Sequence, residues 1–280
     1  MNKTIISFGA AVLLALGGCS ASGQSEGEEQ NNSGDASQQE EQAEQENEAE
    51  KESEPVFEGE EEQAETTEPK AGEQEQTTTL PSVNEDGVLQ NPEALNALVN
   101  REYHLPSDYV PEDLTVPDVR FPYEEDVPKK QVREPAAKAL ESLFSGAEEE
   151  GLYLFAVSGY RSYDRQESIF AANAEEDGVE AANQYSAQAG ESEHQSGLAM
   201  DVSSQSADFT LTNAFGETPE GMWLKENAHE YGFVIRYPED KTDITGYQYE
   251  PWHLRYVGKE LAAALHDTNQ TLEEYYGTAE

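Results

Sequence analysis

The last two hundred residues of the chain predict an α+β fold. Segments with helical and with strand patterning mix there without the regular alternation that a doubly wound sheet requires. No internal repeat organises them. The charge also divides the 280-residue chain into three stretches, of which only residues 80–280 carry recurring apolar patterns over a length normal for one domain.

The first stretch is expected to be a secretory leader, residues 1–18. Lys3 gives a positive start, Ile5 to Leu16 is almost wholly apolar, and small residues follow, a run too short for the roughly 20 residues of a spanning helix. Leu16-Gly17-Gly18-Cys19 resembles the bacterial lipobox, in which the Cys is acylated and becomes the new N-terminus. Cys19 is the only Cys of the chain, so neither an internal disulfide nor a Cys-based zinc site is open to it. Two or more acyl chains on Cys19 would hold the protein stably at a membrane.

Residues 19–79 are expected to form a disordered acidic linker. From Ser20 to Thr79 there are 20 acidic residues against Lys51 and Lys70, a net of −18, and Val56 and Phe57 are its only sizeable apolar side chains. Such a segment buries too little surface to offset its ordering entropy, and like charges stretch it. Behind a lipid anchor it would hold the domain out from the outer face of the cytoplasmic membrane into the cell wall.

The domain, 80–280, has 39 acidic and 13 basic residues. With the whole chain at −43, binding a phosphate backbone through a basic patch is excluded, and no protein partner is implied. Asn91 to Asn100 predicts a short helix, and Leu105 to Pro128, rich in Pro, little regular structure. Glu134 to Glu150 predicts a helix, with Pro135 in its first turn and Leu140, Leu143, Phe144 and Ala147 at helical spacing. Leu152 to Ser158, bounded by Gly151 and Gly159, predicts a buried strand. Asp164 to Ala174 and Val179 to Ala189 predict helices, the second closed by Gly190. Strands follow over Leu198 to Ser203, Phe233 to Tyr237 and Trp252 to Val257. A helix over Glu220 to Tyr231 is closed by Gly232, Lys259 to His266 is helical, and Thr271 with Glu274 forms a capping box for a last helix.

Three segments carry candidate chemistry. In Ser192-Glu193-His194-Gln195-Ser196-Gly197-Leu198-Ala199-Met200-Asp201, a straight strand would separate His194 from Asp201 by ~23 Å, so they share a site only if Gln195-Ser196-Gly197 turns the chain. Asp201 would then lie inside an apolar run, where a carboxylate is costly unless paired or metal-bound. In Glu250-Pro251-Trp252-His253, the odd spacing puts Glu250 and His253 on opposite faces of a regular strand, but Pro251 disfavours a regular ladder and a bend there would join them. Trp252 reads as a core residue. In Ser158-Gly159-Tyr160-Arg161, with Gln166 beyond, the Arg follows a strand and precedes a helix, well placed to hold a carboxylate.

Each segment is weak alone. Together, in this order, they resemble the zinc D-Ala-D-Ala carboxypeptidases typified by VanY and the similar L,D-carboxypeptidases of Gram-positive cell walls. The resemblance covers roughly residues 91–277. It implies the small α+β fold shared with the Hedgehog signalling domain, a central antiparallel sheet with packed helices. It further implies one Zn2+ held by His194, Asp201 and His253, Glu250 as catalytic base, and Arg161 as a residue holding the substrate carboxylate or the oxyanion. Ser192 and Gln166 match polar substrate-contacting positions, and the substrate would be a peptidoglycan stem peptide losing its C-terminal D-Ala. Two His and one Asp leave a fourth position open, as a catalytic zinc site requires. That argues against a closed structural zinc site, and a positioned Glu250 argues against a wall-binding module without chemistry. Cleavage of an L,D bond in a tetrapeptide stays open beside the D,D reading. His104, His229 and His266 are assigned to no site.

Overall fold

The computed structural model describes residues 82–279; the expected leader 1–18, the Cys19 acylation site and the linker 19–79 lie outside the described residues. The main sheet has four antiparallel strands in the order β3 (Leu154–Ser158), β4 (Ala199–Ser204), β6 (Glu250–Tyr256), β5 (Phe233–Tyr237). A two-stranded sheet of β1 (Leu114–Thr115) and β2 (Val132–Arg133) precedes it. The helices are α1 (Glu134–Glu149), α2 (Tyr163–Asp177), α3 (Val179–Ala182), α4 (Pro219–Asn227), α5 (Thr242–Thr245), α6 (Lys259–Thr268) and α7 (Leu272–Tyr276). An antiparallel sheet with helices packed against it agrees with the α+β class read from the sequence and is the architecture that the family resemblance implies.

Strand alternation gives the sheet two different faces. Met200 and Val202 of β4 and Leu254 of β6 join Ala136, Leu140, Leu143, Phe144 and Ala147 of α1 in the main core. Burying each of the larger of these side chains contributes about 1.5–3 kcal/mol. Asp201 and His253, the residues between, belong to the opposite face. A second cluster, Leu98, Val257, Leu261, Leu265, Leu272 and Tyr276, seats α6 and α7.

Residues 91–100 form successive turns and not the expected helix. Their carbonyls are used elsewhere: Leu95 O and Ala97 O accept hydrogen bonds from Arg255 Nη2 at 3.0 and 2.8 Å, and Asn96 O accepts from the Tyr276 hydroxyl at 2.9 Å. The helix expected over 179–189 stops at Ala182, because Asn183 O is taken by Arg101, Ala187 O by Gln166 and Gly190 O by Leu105 N. The helix expected over 220–231 is α4 followed by a tighter 3-10 turn, Ala228–Tyr231, which Gly232 closes at φ 86°. Strand β6 starts two residues earlier than predicted and includes Pro251. Its register against β5 slips there, with Ile235 opposite Leu254 but Tyr237 opposite Glu250, so Pro251 sits in an irregularity where no ladder bond is required of it.

Candidate metal and catalytic site

The turn between His194 and Asp201 exists. Glu193–Ser196 is a single 3-10 turn, and Gly197 at φ 68° reverses the chain into β4. A Cβ on Gly197 would meet Arg133 Cγ and Leu114 Cδ2 at 2.9 Å and push them aside, and the positive φ favours glycine there in any case. Asp201 is the Cα partner of His253 across β4 and β6, and of Ser158 across an irregularity in β3. Three sequence-distant segments thus converge at one end of the sheet.

His194, Asp201 and His253 are buried, and one ligand atom from each lies within 4.8 Å of the others, a group that could hold a metal ion. His194 Nε2 stands 3.4 Å from Asp201 Oδ2, and His253 Nδ1 stands 3.2 Å from Asp201 Oδ1. The outward nitrogens are engaged: His194 Nδ1–H donates to Gly159 O at 2.8 Å, and His253 Nε2–H to Glu193 Oε2 at 3.2 Å. That leaves Nε2 of one ring and Nδ1 of the other facing Asp201 as the nitrogens a cation could use. Asp201 Oδ1 is buried and accepts no hydrogen bond; its contact with His253 is short but is not hydrogen-bonded. A buried carboxylate set between two imidazole nitrogens, with one oxygen accepting no hydrogen bond, fits a bound cation, and the ring partners on the far side are those that ligand imidazoles need.

Glu250 Oε2 lies 3.6 Å from His253 Nδ1, brought to the site by the irregularity at Pro251. Burial pushes its carboxyl up to about 7, against the pull of His253. Asp201 is held well below the usual carboxylate range: burial would raise it, and His194 and His253 outweigh burial. Burial, with Arg161 and His253, lowers the His194 imidazole against the pull of Asp201. Burial would lower that of His253 as well, but Asp201 and Glu193 carry it up to about 9. A cation at this place would therefore displace a proton.

Arg161 donates from Nη1 to Gln166 Oε1 at 2.8 Å and from Nη2 to Ser158 Oγ at 3.3 Å, and its backbone N donates to His194 O at 3.2 Å. Gln166 is the one buried side chain of α2, whose N-terminus Ser162 caps, and its Nε2 donates to Ala187 O at 2.5 Å. Arg161, Gln166, Ser192, His194, Asp201, Glu250 and His253 all line one cleft of about 220 Å3. Every sequence-derived site residue within the domain is thus in one place.

The other histidines stay out of it. His229 and His266 stack on each other at 3.6 Å, and His104 Nε2 donates to Arg101 O at 2.7 Å. Trp252 packs against the main core as read, and also walls the cleft. Sequence reasoning passed over Tyr237, Tyr247 and Glu193, buried residues that line the cleft, and the buried Arg236 and Arg255 that pair with Glu193. An Arg inside each apolar strand run, Phe233 to Tyr237 and Trp252 to Val257, was the available signal, because a buried guanidinium demands a partner.

These features define an α+β protein with a buried His/Asp/His group, a neighbouring carboxylate and an arginine on one cleft. A family model described as VanY, D-alanyl-D-alanine carboxypeptidase, matches residues 129–259. YodJ of Bacillus subtilis (strain 168) is 54% identical over 188 residues, covering 67% of this chain and 69% of YodJ. The solved structure of the LD-carboxypeptidase LdcB shares 51% identity at TM-score 0.68, covering 72% of this chain and 94% of that one. A mutant of the vancomycin-resistance D,D-pentapeptidase VanY, solved in complex with Zn(II), shares 34% identity at TM-score 0.53, covering 64% of this chain and 97% of that one. The chain belongs to the VanY family of D-alanyl-D-alanine carboxypeptidases, enzymes that act on peptidoglycan peptides.

Proposed function

We propose that the protein is a zinc-dependent carboxypeptidase that removes the C-terminal D-Ala from peptidoglycan stem peptides. The observation that carries this reading is the Asp201 carboxylate, buried between two imidazoles whose far nitrogens are already engaged, with its Oδ1 accepting no hydrogen bond. His194 Nε2, Asp201 and His253 Nδ1 would hold one Zn2+. When bound there, zinc supplies Lewis acidity that polarises the scissile carbonyl and makes an attacking water more acidic. Glu250 takes the proton from that water and returns it to the leaving amine, a role its raised pKa suits. Arg161, fixed by Gln166 and Ser158, holds the terminal carboxylate or the developing oxyanion. Ser192 offers a further polar contact on the same wall. Trp252, Tyr237 and Leu211 line the cleft and limit water around the reacting bond.

A second reading, cleavage of the L,D bond of a tetrapeptide stem, is favoured by the likeness to LdcB. Purified protein from Cys19 onward, given pentapeptide and tetrapeptide stems and analysed by mass, separates the two. Loss of one D-Ala from pentapeptide alone supports the D,D reading, loss from tetrapeptide alone supports the L,D reading, and cleavage of neither overturns both. On this reading the enzyme works on the outer face of the cytoplasmic membrane, anchored through Cys19 and reaching the wall on the 19–79 linker.

A further inference from the structure

Glu193 sits at the junction of a buried polar chain that ends on the proposed metal site. Its side chain is 1% exposed. Oε1 accepts from Arg236 Nε at 2.8 Å and from Arg255 Nη1 at 2.7 Å, while Oε2 accepts from His253 Nε2 at 3.2 Å. Arg236 continues to Glu273 through two hydrogen bonds, at 3.0 and 2.5 Å, and Glu273 accepts from Asn100 Nδ2 at 3.1 Å. Arg255 continues to the carbonyls of Leu95 and Ala97. The chain therefore ties His253 to residues 95–100 and to α7, both outside the stretch that the family model matches.

We infer that Glu193 is the positioning residue for His253: it fixes the proton on Nε2, so that Nδ1 is the nitrogen presented to the cation, and Arg236 and Arg255 hold its carboxylate in place. This rests on the metal reading above. A carboxylate only accepts, so the ring nitrogen hydrogen-bonded to Glu193, Nε2, must carry the hydrogen. The two arginines occupy Oε1 with donors, which leaves Oε2 alone for the imidazole. The orienting partner of a ligand His sets which nitrogen is metallated, and losing such a partner commonly weakens metal binding by about 10–100-fold.

Glu193→Gln sharpens the argument. The amide oxygen must face the two arginine donors, because an NH2 there would meet N–H groups. The NH2 then faces His253 Nε2, which must accept, and the proton moves to Nδ1, where it blocks ligation. The experiment is competition of the purified full-length protein and its Glu193→Gln variant against a zinc chelator, with 15N NMR of the imidazoles in the zinc-loaded wild type. Zinc binding weakened about 10–100-fold in the variant, with His253 protonated at Nε2 and bound through Nδ1 in the wild type, is the expected result. Wild-type zinc affinity in a folded Glu193→Gln overturns the inference alone. If the variant does not fold, the wild-type spectrum decides, and metal on Nε2 of His253 overturns it. A wild-type protein that takes up no zinc overturns the metal reading and this inference together.

Discussion

Asp201 and His253 are direct partners across β4 and β6, and the pairing puts Oδ1 3.2 Å from Nδ1. Opposed residues on neighbouring antiparallel strands lie ~4.5–5.5 Å apart at Cα, so ladder register sets the separation of these two ligands without any loop. Only His194 needs a turn to reach them. The prediction is that His194→Ala, Asp201→Ala and His253→Ala each lose most of the zinc that the unmutated protein carries at close to one per chain. Metal analysis after dialysis reads this, and one stoichiometric zinc in any of the three variants would remove that residue from the ligand set.

Glu250 is separable from the ligands. Glu250→Gln keeps the size and removes the proton acceptor, so zinc content should persist while turnover falls about 10²–10⁴-fold. Burial raises the Glu250 carboxyl, so its basic form is lost as pH falls, at a pH above the ordinary carboxylate value. The unmutated enzyme should therefore show an acid limb in kcat/KM that Glu250→Gln lacks. Zinc lost together with activity would make Glu250 a ligand.

The motif spacings could announce the site because each element there is local: a 3-10 turn, a glycine with positive φ, a proline at a strand irregularity. What they could not announce was the support. Glu193 looks like one acid among many in a chain this acidic, and its role depends on Arg236 and Arg255, 43 and 62 residues away. Likewise, residues 91–100 have the apolar spacing of a helix, and only the demand of Arg255 for carbonyl acceptors, from a strand 158 residues on, explains their turns. Helix α1 was legible from the helical spacing of its buried residues, and β3, β4 and β5 from short apolar runs.

Anchoring has its own test. The linker 19–79 has no apolar stretch to hold a membrane, and no described helix is long and apolar enough to cross one. Cys19→Ala should move the protein from the membrane fraction to the soluble one on cell fractionation. Continued tight membrane association would mean that the apolar run of residues 5–16 stays attached as an anchor.

Glu273 links stability to pH. Burial would raise its carboxyl, but Arg236 outweighs burial and its pKa is lowered in the fold. A lowered carboxyl pKa stabilises the fold above the unfolded value of about 4.3, and that stabilisation is lost as pH falls through the folded value. Breaking a buried pair costs about 3–5 kcal/mol. Glu273→Gln should therefore melt roughly 6–20 °C lower at pH 7, at about 2–4 °C per kcal/mol for a domain of this size. The gap should narrow once pH drops well below 4. An equal gap at pH 7 and pH 3 would show that packing and not charge is lost.

Arg161 faces an electrostatic problem that the rest of the domain creates. A stem peptide ends in a free carboxylate, and residues 80–280 carry a net charge of −26. Long-range repulsion must be outweighed locally. A bound cation is partly cancelled by Asp201, and Glu193 is already committed to Arg236 and Arg255. The hydrogen bonds of the Arg161 guanidinium go to neutral partners, Gln166 and Ser158, so no carboxylate is hydrogen-bonded to it, while Asp201 and Glu250 act on its charge from across the cleft. Arg161→Ala should lose most activity on free stem peptides. Arg161→Lys should recover little, because it keeps the charge but not the paired donors that fit a carboxylate. Peptides amidated at the C-terminus should be poor substrates for the unmutated enzyme. Moderate salt should raise kcat/KM on free peptides, since screening with a Debye length near ~8–10 Å weakens the long-range repulsion more than the close contact. Equal rates on free and amidated peptides would mean that Arg161 reads no carboxylate and would point to an endopeptidase.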